Sequence, residues 1–402
     1  MSIEAGFIAE GTITAPKGFL AGATYAGIKS KAGKLLDLGI LVSEVPCTAA
    51  ALFTTNRFQA APVVLSRERL NNHNTQAIII NSGCANAGTG EQGMADAADM
   101  ARLTAEKLNL PEDKVLVAST GVIGRRLPMD KIAKGICQIQ PTTGGGHELA
   151  RAIITTDTKT KETAFKVSDS YTIGGIAKGS GMIHPNLGTM LCFLTTDASV
   201  EKEFLKRALK QAADISFNMV TVDGDTSPND TLLIMANGLA MNKIIMEDNP
   251  QATMFQQALN KVCVFLARAI ASDGEGATRL IEVTVSKAAC LSDARLAART
   301  IAGSPLTKTA IHGGDPNWGR IMAAAGRSGA QFEADRASLI IGDVKLINRG
   351  KILNFDEDQA AEALKQKEVT IGLELNLGDA FATAWGCDLS CEYVAINSDY
   401  TT

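Results

Sequence analysis

No stretch of the 402-residue chain approaches the ~18 apolar residues in a row that a membrane-spanning helix requires. Nor do the first residues, MSIEAGFIAEGTITAPKGFLAGA, hold a continuous apolar segment behind positive charge; Glu4 and Glu10 stand where a signal peptide places Lys or Arg. A cytoplasmic chain with no membrane partner is the expectation. Excess positive charge is missing as well. The formal net charge of −4 argues against a nucleic-acid footprint and for a small-molecule partner. Histidine is scarce, and His73, His147, His184 and His312 show no i, i+4 pairing. The eight cysteines are scattered, with Cys387 and Cys391 four apart and no second pair beside them. A zinc ribbon or histidine zinc site is excluded on spacing, and no metal is expected. Buried free thiols in a reducing compartment fit better, as in Val262-Cys263-Val264-Phe265. No Gly-x-Ser-x-Gly elbow occurs. A nucleophile in this chain therefore lacks the usual histidine base.

What is present is an ordinary globular composition, 46% hydrophobic and 20% charged, long enough for two or three domains or one large layered body. There is no low-complexity linker, internal repeat or charge run. Ala77-Ile78-Ile79-Ile80-Asn81 and Val115-Leu116-Val117-Ala118 read as short buried strands around a helix over Met94 to Leu108. Val200 to Ile215 places Phe204, Leu205, Ala208, Leu209, Ala212 and Ile215 on one helical face, and a further helix fits Ala252 to Ala271. Strands are expected at Ile281 to Val285, Ser338 to Ile341 and Thr370 to Leu375. Gly144-Gly145-Gly146-His147 lacks a Walker lysine and reads as a flexible loop. Asp223-Gly224-Asp225-Thr226-Ser227-Pro228-Asn229-Asp230 resembles a calcium loop only superficially. Its sixth position is Pro228 rather than glycine and its twelfth Ile234 rather than glutamate, so a polar turn near a site is expected instead.

The segment KGSGMIHPNLGTMLCFLTTDA, Lys178 to Ala198, carries a structural break at Pro185 to Gly188 and then a threonine, Thr189, at the start of an apolar run. A threonine hydroxyl needs a base to become a nucleophile, and its own free α-amine is one recognised solution. An α-amine with a reference pKa of about 7.7–8.0 is substantially neutral near physiological pH. Thr189 is internal, so the amine has to be made by cutting the Gly188–Thr189 bond. Attack of its own hydroxyl on the Gly188 carbonyl would do so, and glycine offers no side chain to obstruct it. A buried strand threonine after a turn would show the same local pattern.

Beyond that local pattern, KGSGMIHPNLGTML closely resembles the cleavage segment of the glutamate N-acetyltransferases of arginine biosynthesis, the ornithine acetyltransferase or ArgJ family. The similarity runs along the chain: FTTNRFQAAPV from Phe53, NSGCANAGTG from Asn81, STGVIG from Ser119, TTDT from Thr155, DGDTSPNDT from Asp223, DGEGATRL from Asp273, HGGDPNWGR from His312 and INSDYTT from Ile396. Two positions depart from the pattern. Gly188 stands where alanine is usual, which bears on the self-cleavage rate, and Cys84 stands where asparagine is common.

The resemblance implies an α+β fold, an αββα layered sandwich of the N-terminal-nucleophile type. It implies self-cleavage into an α chain, residues 1–188, and a β chain, residues 189–402, that stay associated as a heterotetramer of two of each. Thr189 falls on the nucleophile, and Thr120 and Gly121 on the oxyanion hole. A hydroxyl and a backbone N–H are suitable donors to a tetrahedral O⁻. Substrate contacts fall on Thr155, Lys178, Thr189, Glu275, Asn397 and Thr402. Lys178 suits an α-carboxylate, Glu275 an ammonium group, and Asn397 and Thr402 the polar ends of an amino acid. The implied reaction is ping-pong transfer of acetyl from N2-acetyl-L-ornithine to L-glutamate through an acetyl-threonine. It needs no cofactor, and bifunctional members also take acetyl-CoA as donor. Two alternatives remain at this stage. An N-terminal-nucleophile aminopeptidase or amidohydrolase would pass the acyl group to water, and a non-catalytic binding protein would need no scission.

Overall fold

A computed structural model describes residues 6–29, 35–72, 74–184 and 190–399. The first part of the chain runs β1 (Gly6–Phe7), β2 (Phe19–Thr24), β3 (Leu38–Phe53), α1 (Ala61–Asn72), β4 (Thr75–Cys84), α2 (Gly90–Leu108), β5 (Val115–Val122), α3 (Met129–Gln138), α4 (Gly146–Ile153), β6 (Lys161–Val167) and β7 (Tyr171–Lys178). It continues as β8 (Leu191–Thr196), α5 (Lys202–Asp214), β9 (Thr231–Ala236) and α6 (Pro250–Ser272). Capping sets several helix starts: the Glu201 carboxylate accepts the Glu203 and Phe204 N–H groups ahead of α5, and Asn249 with Pro250 opens α6. The predicted strands and helices of this part are all found. Gly146 and His147, expected in a flexible loop, instead begin α4.

All nine strands join in one sheet, in the order β1-β6-β7-β8-β9-β3-β4-β5 with β2 on β3. The long strand β3 divides that sheet into two layers. Leu38 to Val42 pair with β4 and β2, and Thr48 to Phe53 pair with β9. Side-chain alternation then shows what each face meets. Ala77, Ile79, Val115 and Val117 face Met100, Ala101 and Ala105 of α2 and Ile132 and Ile136 of α3. Their neighbours Ile78, Ile80, Leu116 and Ala118 face Ile176, Leu191, Phe193, Leu233 and Met235 of the other layer. On that layer's far side, Cys192, Leu194, Leu232 and Ile234 meet Phe204, Leu205, Leu209, Phe255 and Leu259 of α5 and α6. Helices, sheet, sheet and helices are thus stacked in the expected αββα order, and Leu149, Ala150 and Ile153 of α4 close the inter-sheet layer.

Downstream lie β10 (Leu280–Ala288), α7 (Leu291–Ala302), α8 (Pro305–Gly313), α9 (Trp318–Gly326), β11 (Ser338–Ile341), β12 (Val344–Asn348), β13 (Lys351–Ile352), α10 (Glu357–Leu364), β14 (Glu368–Glu374), β15 (Ala380–Cys387) and α11 (Cys391–Asp399). Their strands form a second, six-stranded sheet, order β13-β12-β11-β14-β10-β15, which the sequence did not foretell as a separate layer. Its core runs on from that of α6, through Ile281, Val283 and Val285. Among the described residues, no helix is long and apolar enough to cross a membrane. All eight cysteines are free; Cys137, Cys290 and Cys391 are exposed, against the expectation of burial.

Phe193 is fully buried between the two layers. Phe193→Ala is expected to destabilise the fold by about 3–5 kcal/mol, as large-to-small changes in a packed core do. Urea-induced unfolding checks this, and an unchanged midpoint would contradict the sandwich packing.

Candidate active site

A cavity of about 270 Å³ opens where strand ends converge, at the small end of the range for ligand pockets. Thr120 and Gly121 reach it from the end of β5. Gly121 has φ 126°, and a Cβ there would lie 2.4 Å from the Gly83 carbonyl carbon, so only glycine fits beside β4. Asn229 braces this corner, donating from Nδ2 to the Ala85 carbonyl at 2.7 Å and to the Ser119 carbonyl at 2.8 Å. Asn81 and Ser119 complete the brace through a 2.6 Å hydrogen bond between their side chains.

Lys178 enters from the end of β7 and is 3% exposed. Its Nζ donates to Thr155 Oγ1 at 2.8 Å and to Thr120 Oγ1 at 3.4 Å. Burial pulls the ammonium below its ordinary pKa, opposed by Asp157, Asp230 and Glu275. Asp157 lies beneath. Burial alone would raise its carboxyl, but Lys178, Lys161 and the Gly179 N–H outweigh that and hold it at about 2. Lys161 Nζ bridges Asp157 and Asp273 at 2.6 Å each. Thr155 takes the lysine, whereas the Thr156 hydroxyl lies 2.7 Å from Ser180 Oγ.

Glu275 faces the same cavity from the turn after α6, its own N–H bonded to the Ser180 carbonyl at 2.8 Å. Asn397 of α11 donates to Glu275 Oε2 at 2.8 Å. Tyr393, one turn earlier on α11, donates its hydroxyl to Asp223 Oδ2 at 3.4 Å. Burial pushes the Asp223 carboxyl up. The cavity lining holds no histidine among the described residues. His184 Nδ1 lies instead 3.3 Å from Thr221 Oγ1. Gly188, Thr189, Thr402 and the proposed break at Pro185 lie outside the described residues.

Thr120, Gly121, Thr155, Lys178, Glu275 and Asn397 are thus brought to one cavity, with a cation and a carboxylate on its wall and a hydroxyl and a strand-end amide between them. Such a lining can hold a small zwitterion and stabilise charge on a carbonyl oxygen. Residues 20–402 match the sequence family described as the ArgJ family. The chain belongs to the ArgJ family. Proteins named "Arginine biosynthesis bifunctional protein ArgJ" are similar throughout: that of Dehalococcoides mccartyi is 58% identical over 396 residues, 98% of either chain. That of Thermotoga neapolitana is 50% identical over 398 residues, 96% of this chain and 99% of its own. A crystal structure of the Bacillus halodurans ArgJ bifunctional protein superposes with a TM-score of 0.50 at 42% identity, covering 51% of this chain and 97% of that one.

In this ArgJ member, Asp223, Asn229, Asp230 and Tyr393 also build the site, and sequence reasoning gave none of them a role. The polar turn of Asp223 to Asp230 does sit at a site, as expected, but Asp223, Asn229 and Asp230 turn inward onto the backbone. Gly181 also gains a function: a Cβ there would lie 2.4 Å from Glu275 Oε2. Gly181→Ala should therefore displace a flexible carboxylate and leave the melting temperature almost unchanged. The Asn397 hydrogen bond to Glu275 should be lost with it. A crystal structure of the variant checks this; a Glu275 carboxylate left in place would contradict the close approach.

Proposed function

We propose that the chain cuts itself between Gly188 and Thr189 and then transfers acetyl from N2-acetyl-L-ornithine to L-glutamate through Thr189. The observation that carries this reading is the buried Lys178 ammonium, bonded to the Thr120 and Thr155 hydroxyls in the cavity that also holds the Glu275 carboxylate. Lys178 donates into the Thr120 oxygen, which leaves the Thr120 proton free to point at a developing oxyanion and polarises it. The Gly121 N–H is the second donor. Lys178 and Glu275 are matched to the carboxylate and ammonium of an amino acid, which favours an amino-acid acceptor over water.

In scission, Thr189 Oγ bonds to the Gly188 carbonyl carbon, the C–N bond breaks, and the hydroxyl proton passes to the departing nitrogen. Water then splits the ester, leaving a Gly188 carboxylate and a free Thr189 amine. In turnover that amine takes the hydroxyl proton as Oγ attacks the acetyl carbonyl, and ornithine leaves with it. Glutamate's amine attacks the acetyl ester next, and the hydroxyl is restored. The half-length Bacillus halodurans chain, which matches 51% of this one, supports a protein of two chains, which we take to be residues 1–188 and 189–402. We place the assembly, two of each chain, in the cytoplasm, and the relatives' name supports a second activity, which we take to be acetyl-CoA-dependent acetylation of glutamate. No resident cofactor enters the proposal.

Denaturing mass spectrometry of the active protein should show fragments ending at Gly188 and starting at Thr189. An active chain of full length only would overturn the scission. Double-reciprocal plots at several glutamate concentrations should be parallel, because ornithine departs before glutamate reacts. Intersecting plots would indicate direct transfer in a ternary complex.

Thr120→Ala should lower turnover by about 10²–10³-fold, as loss of one oxyanion donor does. Binding of N-acetylornithine should change far less. Near-normal turnover would leave Thr120 a purely structural role.

A further inference from the structure

Two carboxylates of one loop grip the backbone on either side of residues 185–189. Asp223 Oδ2 accepts the Met182 N–H at 2.5 Å, and its Oδ1 accepts the Ile183 N–H at 2.9 Å. At the other end of the loop, Asp230 Oδ1 accepts the Met190 N–H at 2.9 Å. The Met190 carbonyl is held too, by the Thr231 N–H at 3.1 Å. Both backbone groups of Met190 are therefore tied to the entrance of β9, one residue before β8 begins.

A buried carboxyl is an expensive way to satisfy one amide, and a backbone carbonyl would serve more cheaply. Asp230 is 1% exposed, and its second oxygen takes no hydrogen bond among the described residues. Burial pushes its carboxyl well above the ordinary range, and the Met190 N–H only partly offsets this. Such a group persists where its geometry is needed. Because a peptide unit is planar, a partner that fixes the Met190 N–H also restricts the backbone at the entry to β8. On the other side, Met182 is held at φ 56°, a left-handed conformation unusual for a side chain of its size, and the Asp223 carboxylate ties down its amide.

We propose that Asp230 and Asp223 are positioning residues for the reactive threonine, holding the Met190 amide and the Met182–Ile183 amides in the placement that both scission and acetyl transfer require. The proposal rests on Thr189 as nucleophile. The hydrogen bonds also assign different tolerances to the two acids. Asp230 uses one oxygen, so Asp230→Asn keeps the acceptor. Asp223 uses both, so Asp223→Asn turns an amide donor toward one of two N–H groups and breaks the grip.

The test uses the full-length chain. Asp230→Ala should raise deuterium exchange at the Met190 amide about tenfold or more, and slow scission and the kcat of the cut enzyme by about 10–10²-fold, the effect of a small misplacement at a reacting centre. The KM for N-acetylornithine should stay within about threefold, since no substrate contact is lost. Asp230→Asn should restore exchange, scission and kcat close to wild type, while Asp223→Asn should slow scission as Asp223→Ala does. Melting temperatures identify any variant that fails to fold; the two asparagine variants keep the shape of the site and decide the matter if the alanine variants are lost. Folded Asp230→Ala with wild-type exchange, scission and kcat would overturn the proposal. So would Asp230→Asn as impaired as Asp230→Ala, because charge rather than placement would then matter. Wild-type protein that is neither cut nor active would overturn the underlying reading of Thr189 before any variant is compared.

Discussion

The pairing of β8 and β9 between β7 and β3 is the constraint on which the rest of the structure depends. Leu191, the first residue of β8, pairs with Lys178 on one side and Thr231 on the other. That single register brings the last residue of β7 and the residue before β9, Asp230, to either side of Met190. It also weaves the halves of the chain together: β8 and β9 come from beyond residue 188, and both of their outer neighbours come from before it. A backbone cut between Gly188 and Thr189 would leave both ladders and the core around Phe193 intact, so two chains would separate only with loss of the whole sandwich.

The floor of the site is a buried charge lattice. Lys161 ties Asp157 to Asp273, and Asp157 also faces Lys178 and accepts the Gly179 N–H at 2.7 Å. Asp157 is kept charged by its neighbours in a place that would otherwise favour the neutral form. Thr155 shares in this, since its N–H is bonded to Asp157 Oδ2 at 3.0 Å while its hydroxyl takes the lysine. The lattice holds the lysine at a fixed height against Thr120.

Much of the sandwich was legible because its elements carry local signals. The helical face of Phe204, Leu205, Ala208, Leu209 and Ala212 is α5, and the apolar run at Ile78 to Ile80 lies within β4. The long strand β3 was not read, because Ser43, Glu44 and Pro46 interrupt its apolar pattern where it passes from one layer to the next. The six-stranded sheet was read strand by strand but not as a sheet, since the parallel pairing of β10 with β14 joins residues far apart in sequence. In the site, Thr120, Gly121, Thr155, Lys178, Glu275 and Asn397 were found through their family motifs rather than through composition or spacing. The chemistry of Lys178 then agreed with them. Asp223 and Asp230 lie in the motif DGDTSPNDT and read only as part of a polar turn near a site; tertiary structure is what shows them accepting amides in the interior.

The central claim is that one hydroxyl, that of Thr189, carries the acetyl group between donor and acceptor. It is tested most directly by incubating the protein with N-acetylornithine alone and mapping the mass of the chain that begins at Thr189. The account predicts one added acetyl group, located on Thr189 and removed when glutamate is supplied. Product formed from both substrates without any such adduct, or acetate released equally fast in the absence of glutamate, would contradict it.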